Sequence, residues 1–258
     1  MCRSSASALR ATPGVTVVRS GGLGNVTSLF VRGGESSYNK VLLDGIPLNE
    51  PGGTFNFSNL TTDFVERVEV VRGAQSALFG SDAMASVVQI VSEARAARRV
   101  ASVDHGASGE AGSHDTRRAS ASIGASSGLW DGAFHAGRQH TANRAPNNDF
   151  DNTTIVGNGG VTPSANVSLR IVGRTEFGRA GVLGATAFGR SDMDAFFHRR
   201  DGVVGATLDH QISDRWQQRA TYAVSVSHQQ STNLQIDPPS RAALRWPRRA
   251  VHVQRFPA

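Results

Sequence analysis

Apolar and polar residues alternate with a period of two through the second half of this chain, but not through its first third. From Arg118 to Ala125, the apolar Ala119, Ala121, Ile123 and Ala125 oppose Arg118, Ser120, Ser122 and Gly124. From Ala165 to Arg174, Ala165, Val167, Leu169 and Ile171 oppose Asn166, Ser168, Arg170 and Arg174. From Trp216 to Gln229, Trp216, Ala220, Tyr222, Val224 and Val226 oppose Gln217, Arg219, Thr221, Ser225 and Ser227. Such alternation marks a strand with one apolar and one polar face. Val100 to Ser108, Leu129 to Gln139, Asn152 to Val161 and Gly202 to Ile212 carry weaker forms of it. The result is about seven strands, each long enough to cross a bilayer at a tilt.

The connections between these strands alternate in length. Gly109–Asp115, His140–Asp151 and Glu176–Asp201 are long, whereas Ser126–Gly128, Thr162–Ser164 and Ser213–Arg215 are short. Every short turn therefore falls on one side, the asymmetry of an outer-membrane barrel. Short turns also force neighbouring strands to pair, so a meander is expected. Ala119, Ala121, Ile123, Val167, Leu169, Ile171, Tyr222, Val224 and Val226 should share the lipid face. Arg118, Ser120, Asn166, Ser168, Arg170, Arg219 and Thr221 should share the other.

Before Glu93 the pattern is α+β. A helix is expected to end at Thr12, before Pro13-Gly14. Short strands are expected at Val15 to Val18, Ser28 to Val31, Lys40 to Leu43, Val65 to Val71 and Ser86 to Val91. Gly21-Gly22, Gly33-Gly34, Asp44-Gly45 and Gly52-Gly53 mark turns. Ser58 to Phe64 reads as a short helix with Ser58 as its N-cap.

Composition narrows the class. The net charge is +6 and Lys40 is the only lysine. The arginines are scattered rather than gathered on one element, so nucleic acid is not the expected partner. From Pro238 to Ala258 the chain is basic and aperiodic, and this tail is expected to be loosely packed. The single cysteine, Cys2, excludes an internal disulfide framework. No apolar run is long enough for a transmembrane helix. The first residues lack the apolar core of a signal peptide.

Four ordered blocks carry a family resemblance. They are Ala-Leu-Arg-Ala-Thr-Pro-Gly-Val from Ala8, Leu-Phe-Val-Arg-Gly-Gly from Leu29, Val-Leu-Leu-Asp-Gly-Ile-Pro-Leu from Val41, and the run from Glu66 to Ile90. Together they resemble the plug domain of TonB-dependent outer-membrane receptors, 22-stranded barrels whose lumen is filled by the plug. Thr186 to Asp201 is similar to the vitamin B12 receptor subgroup. The chain departs from the family at Gly73-Ala74 (usually Gly-Pro), at Met84-Ala85 (usually Gly-Gly) and at Gln89 (usually Asn). Loss of those glycines requires negative φ at Met84 and Ala85.

The resemblance implies an α+β plug domain at 1–92, followed at 93–237 by an incomplete antiparallel transmembrane β-barrel of about seven meander strands, not closed, and a basic tail at 238–258. It implies a fragment truncated at both ends, with the TonB box before Met1. It implies residence in the outer membrane, TonB as a partner, and energy-coupled uptake of cobalamin or an iron siderophore, with no catalytic residues. The alternative is a soluble β-rich binding domain with a plug-like fold. The loop from Gly45 to Phe57 matches a ligand-facing plug apex, with Asn49, Glu50, Thr54, Phe55 and Asn56 as its contacts. Arg32, Glu66, Arg67, Glu69 and Arg72 are expected to meet the barrel wall. Asp192, Asp194 and Asp201, assigned to the longest outer loop, are candidate ligands for a structural calcium, a hard ion that takes oxygen donors. Gly124-Ala125-Ser126-Ser127-Gly128 matches a hydrolase pattern, but a strand follows where the nucleophile elbow needs a helix.

Overall fold

A computed structural model describes residues 9–50, 52–61, 64–92, 101–182 and 194–233, together with the backbone of 250–255. The first strands, β1 (Val15–Arg19) and β2 (Thr27–Val31), pair antiparallel. Strands β3 (Asn39–Leu43) and β4 (Ile46–Pro47) are joined by Asp44 and Gly45, both at positive φ (48° and 85°). That conformation is the hairpin turn whose twist matches its flanking strands. Strand β5 (Val65–Arg72), helix α1 (Ser76–Phe79) and strand β6 (Ser86–Ser92) follow. The order in this mixed sheet is β4-β3-β6-β5, with β3 and β6 parallel.

The N-terminal core comprises Leu29, Val31, Val41, Leu43, Ile46, Phe57, Leu60, Phe64, Val88 and Ile90, all essentially buried. Buried Asn39 joins the two sheets. Its amide donates to the Leu29 carbonyl at 3.0 Å and its Oδ1 accepts from Ser86 Oγ at 2.7 Å. Asp44 receives both Ser92 N at 2.9 Å and Ser92 Oγ at 2.5 Å, which fixes the end of β6. Met84 and Ala85 keep negative φ, as the missing glycines require, while Gly73 has φ 113°. The expected helix from Ser58 is a single 3-10 turn, Phe57–Asn59. Its cap is Asn56, not Ser58: Asn56 Oδ1 accepts from Ser58 N. All but the end of the helix expected before Pro13 falls outside the described residues.

The remainder is a meander of β7 (Ser102–Gly112), β8 (Thr116–Ser127), β9 (Trp130–Thr141), β10 (Phe150–Ser164), β11 (Val167–Gly181), β12 (Phe196–Ser213) and β13 (Trp216–Asn233). Each pairs antiparallel with its sequence neighbours in one unclosed sheet. An eighth strand, β14 (Ala250–Arg255), pairs with β13 inside the tail read as aperiodic. Only Val251 and Val253 alternate there, too few to stand out in the sequence.

The register sets the two faces. Ile123 pairs with Phe134, Phe134 with Gly157, Gly173 with Val204, and Val204 with Val224. Ile171 pairs with Ala206, and Ala206 with Tyr222. Directly paired residues share a side, so the apolar positions form one continuous face. That face is exposed: Ile171 is 51% and Tyr222 74% accessible. The opposite face carries Arg118, Asp131, His135, Gln139, Asn152, Thr154, Arg174 and Glu176, all buried. Polar residues are inside and apolar ones outside, the inverse of a water-soluble sandwich and the pattern of a lipid-facing barrel wall. Ser126, within the hydrolase-like pattern, lies in β8 and bonds Ser102 Oγ at 2.8 Å, so no nucleophile elbow forms.

Candidate functional site

The N-terminal domain seats on the polar face of the sheet through three kinds of contact. Val156 of β10 and Val172 of β11 join its hydrophobic core, and Val203 of β12 packs against it. Ile46 lies on β12 so closely that a Cβ at Gly205 would stand 2.4 Å from its Cδ1. Asn158 of β10 donates to Ser92 Oγ at 2.6 Å.

The second contact is an asparagine clamp at the long-loop end. Asn143, at φ 52°, accepts from Leu23 N at 3.1 Å and donates to the Leu23 carbonyl at 2.9 Å and the Asn148 carbonyl at 2.6 Å. Asn25 donates to Asn148 Oδ1 at 2.8 Å. Gly24, at φ 87°, fits against Phe150, where a Cβ would approach to 2.1 Å. The side chain of Asn143 thus treats the β1–β2 loop as a strand edge, satisfying both its donor and its acceptor.

The third contact is a buried charged cluster. Arg174 and Glu176 project from β11, and Arg199 and Asp201 from β12, each pair two residues apart and therefore on one face. Arg174 Nη2 lies 2.5 Å from Glu176 Oε2. Arg199 pairs with both Asp201 and Glu50, the latter from the N-terminal domain. Gln229 of β13 donates to Glu50 Oε2 at 3.0 Å, and Ser227 Oγ to Asp201 Oδ1 at 2.7 Å. Three carboxylates therefore face two guanidiniums. Charges held this far from water must be paired, because a lone one would be costly. A small cleft of about 90 Å³ opens beside them, lined by Leu48, Glu50, Phe55, Arg199, Ser225 and Ser227.

The residues expected at the apex divide by role. Glu50 and Phe55 line the cleft, as does Asn49. Asn49 is also structural: its Oδ1 accepts from Val41 N at 2.7 Å and its amide donates to the Asn39 and Gly53 carbonyls. Asn56 accepts from Thr27 N and Ser58 N. Thr54 is exposed.

Of the expected wall contacts, Glu66, Arg67, Glu69 and Arg72 are exposed, and Arg67 pairs with Glu66 and Glu69 on its own strand. Arg72 holds the Pro13 carbonyl at 2.7 Å. Arg32 is exposed in a turn at φ 50°. Asp201 lies within β12 rather than in the outer loop. The flanking His198, Arg199 and Arg200 are all polar and hid the strand's period. Asp194 stands at the loop's return, and Asp192 falls outside the described residues. No group of three or more metal-ligating side chains occurs among the described residues.

Sequence reasoning missed Arg174, Glu176, Arg199 and Gln229 as a site. The available signal was the repeated Arg-x-acid pair, Arg174/Glu176 and Arg199/Asp201, whose acids stand directly opposite each other on adjacent strands.

A small α+β domain seated on the polar face of an unclosed, outward-apolar meander is the arrangement of a plug against part of a barrel wall. Comparison with known proteins agrees. Residues 2–87 match the family model "TonB-dependent Receptor Plug Domain". A stretch of 103 residues, 40% of this chain, is 36% identical to the vitamin B12 transporter BtuB of Vibrio vulnificus (strain CMCP6). Among solved structures, the copper transporter OprC superposes over 90% of this chain with a TM-score of 0.73 at 16% identity. The siderophore receptor PiuA from Acinetobacter baumannii superposes over 89% with 0.68 at 18% identity, and the ferric citrate transporter FecA over 90% with 0.69 at 15%. The alignment spans 17% of the B12 transporter, and the superpositions cover 36%, 34% and 38% of those three structures. Residues 2–87 thus match a TonB-dependent receptor plug domain, and the strands that follow share the fold of the corresponding part of these solved structures.

Proposed function

We propose that this chain supplies the plug and first wall strands of a receptor that takes up a scarce ligand of cobalamin or siderophore type, energised through TonB. The observation that carries the reading is the inverted burial of the sheet, with the plug seated on its polar side. The sequence relation to a vitamin B12 transporter favours a cobalamin-type ligand. Glu50 and Phe55 are the apex side chains assigned to ligand contact, because they line the cleft between plug and wall. The exposed Glu66, Arg67 and Glu69 are assigned to the far wall of a closed barrel.

Residues 1–258 do not transport on their own in this reading. A plugged lumen takes about 22 strands, and eight enclose only side chains. The test is to express the chain with an added signal sequence in a receptor-null strain, alongside a chimera in which it replaces the plug and first strands of a vitamin B12 receptor. The chain alone should give no TonB-dependent cobalamin uptake, and the chimera should restore it. Uptake by the chain alone would refute its dependence on further strands. A folded, inserted chimera without uptake would refute the cobalamin assignment.

A further inference from the structure

Above the apolar rows, toward the long loops, the outer face of the sheet changes character. Arg138, Thr153, Phe177, Arg200 and His228 form one row across β9 to β13. His140, Asp151, Arg179, His198 and Gln230 form the next. These positions have the same parity as Ile155, Gly173, Val204 and Val224, so they continue the lipid-facing surface. Between them lies a shallow cleft of about 530 Å³, lined by Arg138, Arg179, Arg200, His198 and His228. Asp151 is the only carboxylate lining it among the described residues.

The arginines are not consumed by internal pairing. Arg138 stands 3.8 Å from Asp151 and is 72% exposed, while Arg179 lies 3.3 Å from Asp149 and is 40% exposed. Such exposed pairs contribute little. Arg179 also lies over the Phe196 ring at 3.9 Å, which holds its guanidinium at the surface. Planar, multidentate guanidiniums suit phosphate oxygens. The apolar rows run from that of Leu169 to that of Ile155 and Val226, roughly 20 Å of strand, and these cations lie directly beyond them on the loop side, where acyl chains give way to headgroups. The cleft is continuous with the acyl-facing surface, and a lipid seated there fills both at once. A soluble anion fills only the cleft.

We propose that this cleft binds the phosphorylated headgroup of an outer-leaflet lipid, with Arg138, Arg179 and Arg200 as its phosphate contacts. The inference rests on assigning this face to lipid, and insertion into neutral bilayers tests that assignment separately. The full chain, refolded in an uncharged maltoside detergent, is titrated with a diphosphorylated glycolipid and with the same lipid after dephosphorylation, and bound lipid is counted by native mass spectrometry. The phosphorylated lipid should be retained and the dephosphorylated one lost. Each arginine near an anionic surface contributes about a fivefold gain in affinity. Arg138→Gln with Arg200→Gln should therefore weaken binding roughly 30-fold, whereas Arg67→Gln with Arg72→Gln, an equal charge change on the plug, should not. Equal retention of both lipids by the unsubstituted chain overturns the proposal even if the variant fails to fold. Full displacement by millimolar inorganic phosphate overturns it too, by showing a soluble-anion site. Failure to insert into neutral vesicles, with phosphate-dependent retention intact, would overturn only the lipid face.

Discussion

Replacing Gly205 with alanine tests how the plug is seated. The new Cβ would stand 2.4 Å from Ile46 Cδ1, 2.8 Å from Cγ1 and 3.0 Å from Cγ2. Carbon atoms rest at about 3.5–4.0 Å, so Ile46 must retreat by about 1 Å. It has little space to do so, being 1% exposed within the core formed by Leu43, Phe57 and Ile90. Overpacking of this kind costs about 1–3 kcal/mol. Ile46→Ala alone leaves a cavity and costs about 2–5 kcal/mol. In that background the alanine at 205 has space, so Gly205→Ala should cost within about 0.5 kcal/mol of nothing. The coupling is then about 1–3 kcal/mol, with the double variant more stable than the sum of the singles predicts. The assay is the urea midpoint of each variant refolded in neutral detergent, compared at an unchanged denaturant slope. An equal loss from Gly205→Ala in both backgrounds would refute the contact.

Three further comparisons test the apolar face, the charged cluster and the clamp. Ile171→Arg, on the exposed apolar face, should cost about 2–4 kcal/mol in vesicles, and Thr221→Arg on the opposite face less than about 0.5; equal losses in urea titrations would contradict the face assignment. Arg199→Met leaves Glu50, Glu176 and Asp201 with only Arg174 and should cost about 3–5 kcal/mol, with Glu50→Gln milder; a smaller midpoint shift for Arg199→Met than for Glu50→Gln would contradict the cluster. Asn143→Ala strands the Leu23 amide, should cost about 1–3 kcal/mol, and should speed hydrogen exchange at that amide; unchanged exchange would remove the clamp.

The strands and their faces were legible because alternation survives wherever one side is apolar. Ile123, Leu169, Ile171, Val224 and Val226 announce it without ambiguity. It failed at Phe196 to Arg200, where both faces are polar or aromatic because the strand has risen beyond the apolar rows. Asp201 was therefore read as loop. The loop from Gly45 to Phe57 was singled out through family blocks, but the roles of its residues were not separable in sequence. Asn49 and Asn56 look like polar contacts, yet both satisfy backbone groups of the plug itself. The clamp of Asn143 on Leu23 joins residues 120 positions apart, a separation that no local pattern encodes.

The balance of contacts at the seat bears on how a plug can be held and still moved. Among the described residues, apolar burial against the wall centres on Val156, Val172 and Val203, with Ile46 over Gly205 and Phe150 against Gly24. Around this small centre the contacts are hydrogen bonds and ion pairs: Asn158 to Ser92, Asn143 to Leu23, Asn25 to Asn148, and Arg199 and Gln229 to Glu50. A hydrogen bond exchanged for water changes stability by only about 0.5–1.5 kcal/mol, whereas a wide apolar interface loses about 25 cal/mol for each Å² exposed. The seat is therefore specific in geometry but cheap to wet. The charged cluster fits this design: three carboxylates around two guanidiniums leave Glu50 the member whose departure still leaves Arg199 paired with Asp201 and Arg174 with Glu176. Separating Glu50 from the wall would therefore leave two neutral ion pairs, Arg199–Asp201 and Arg174–Glu176, in place.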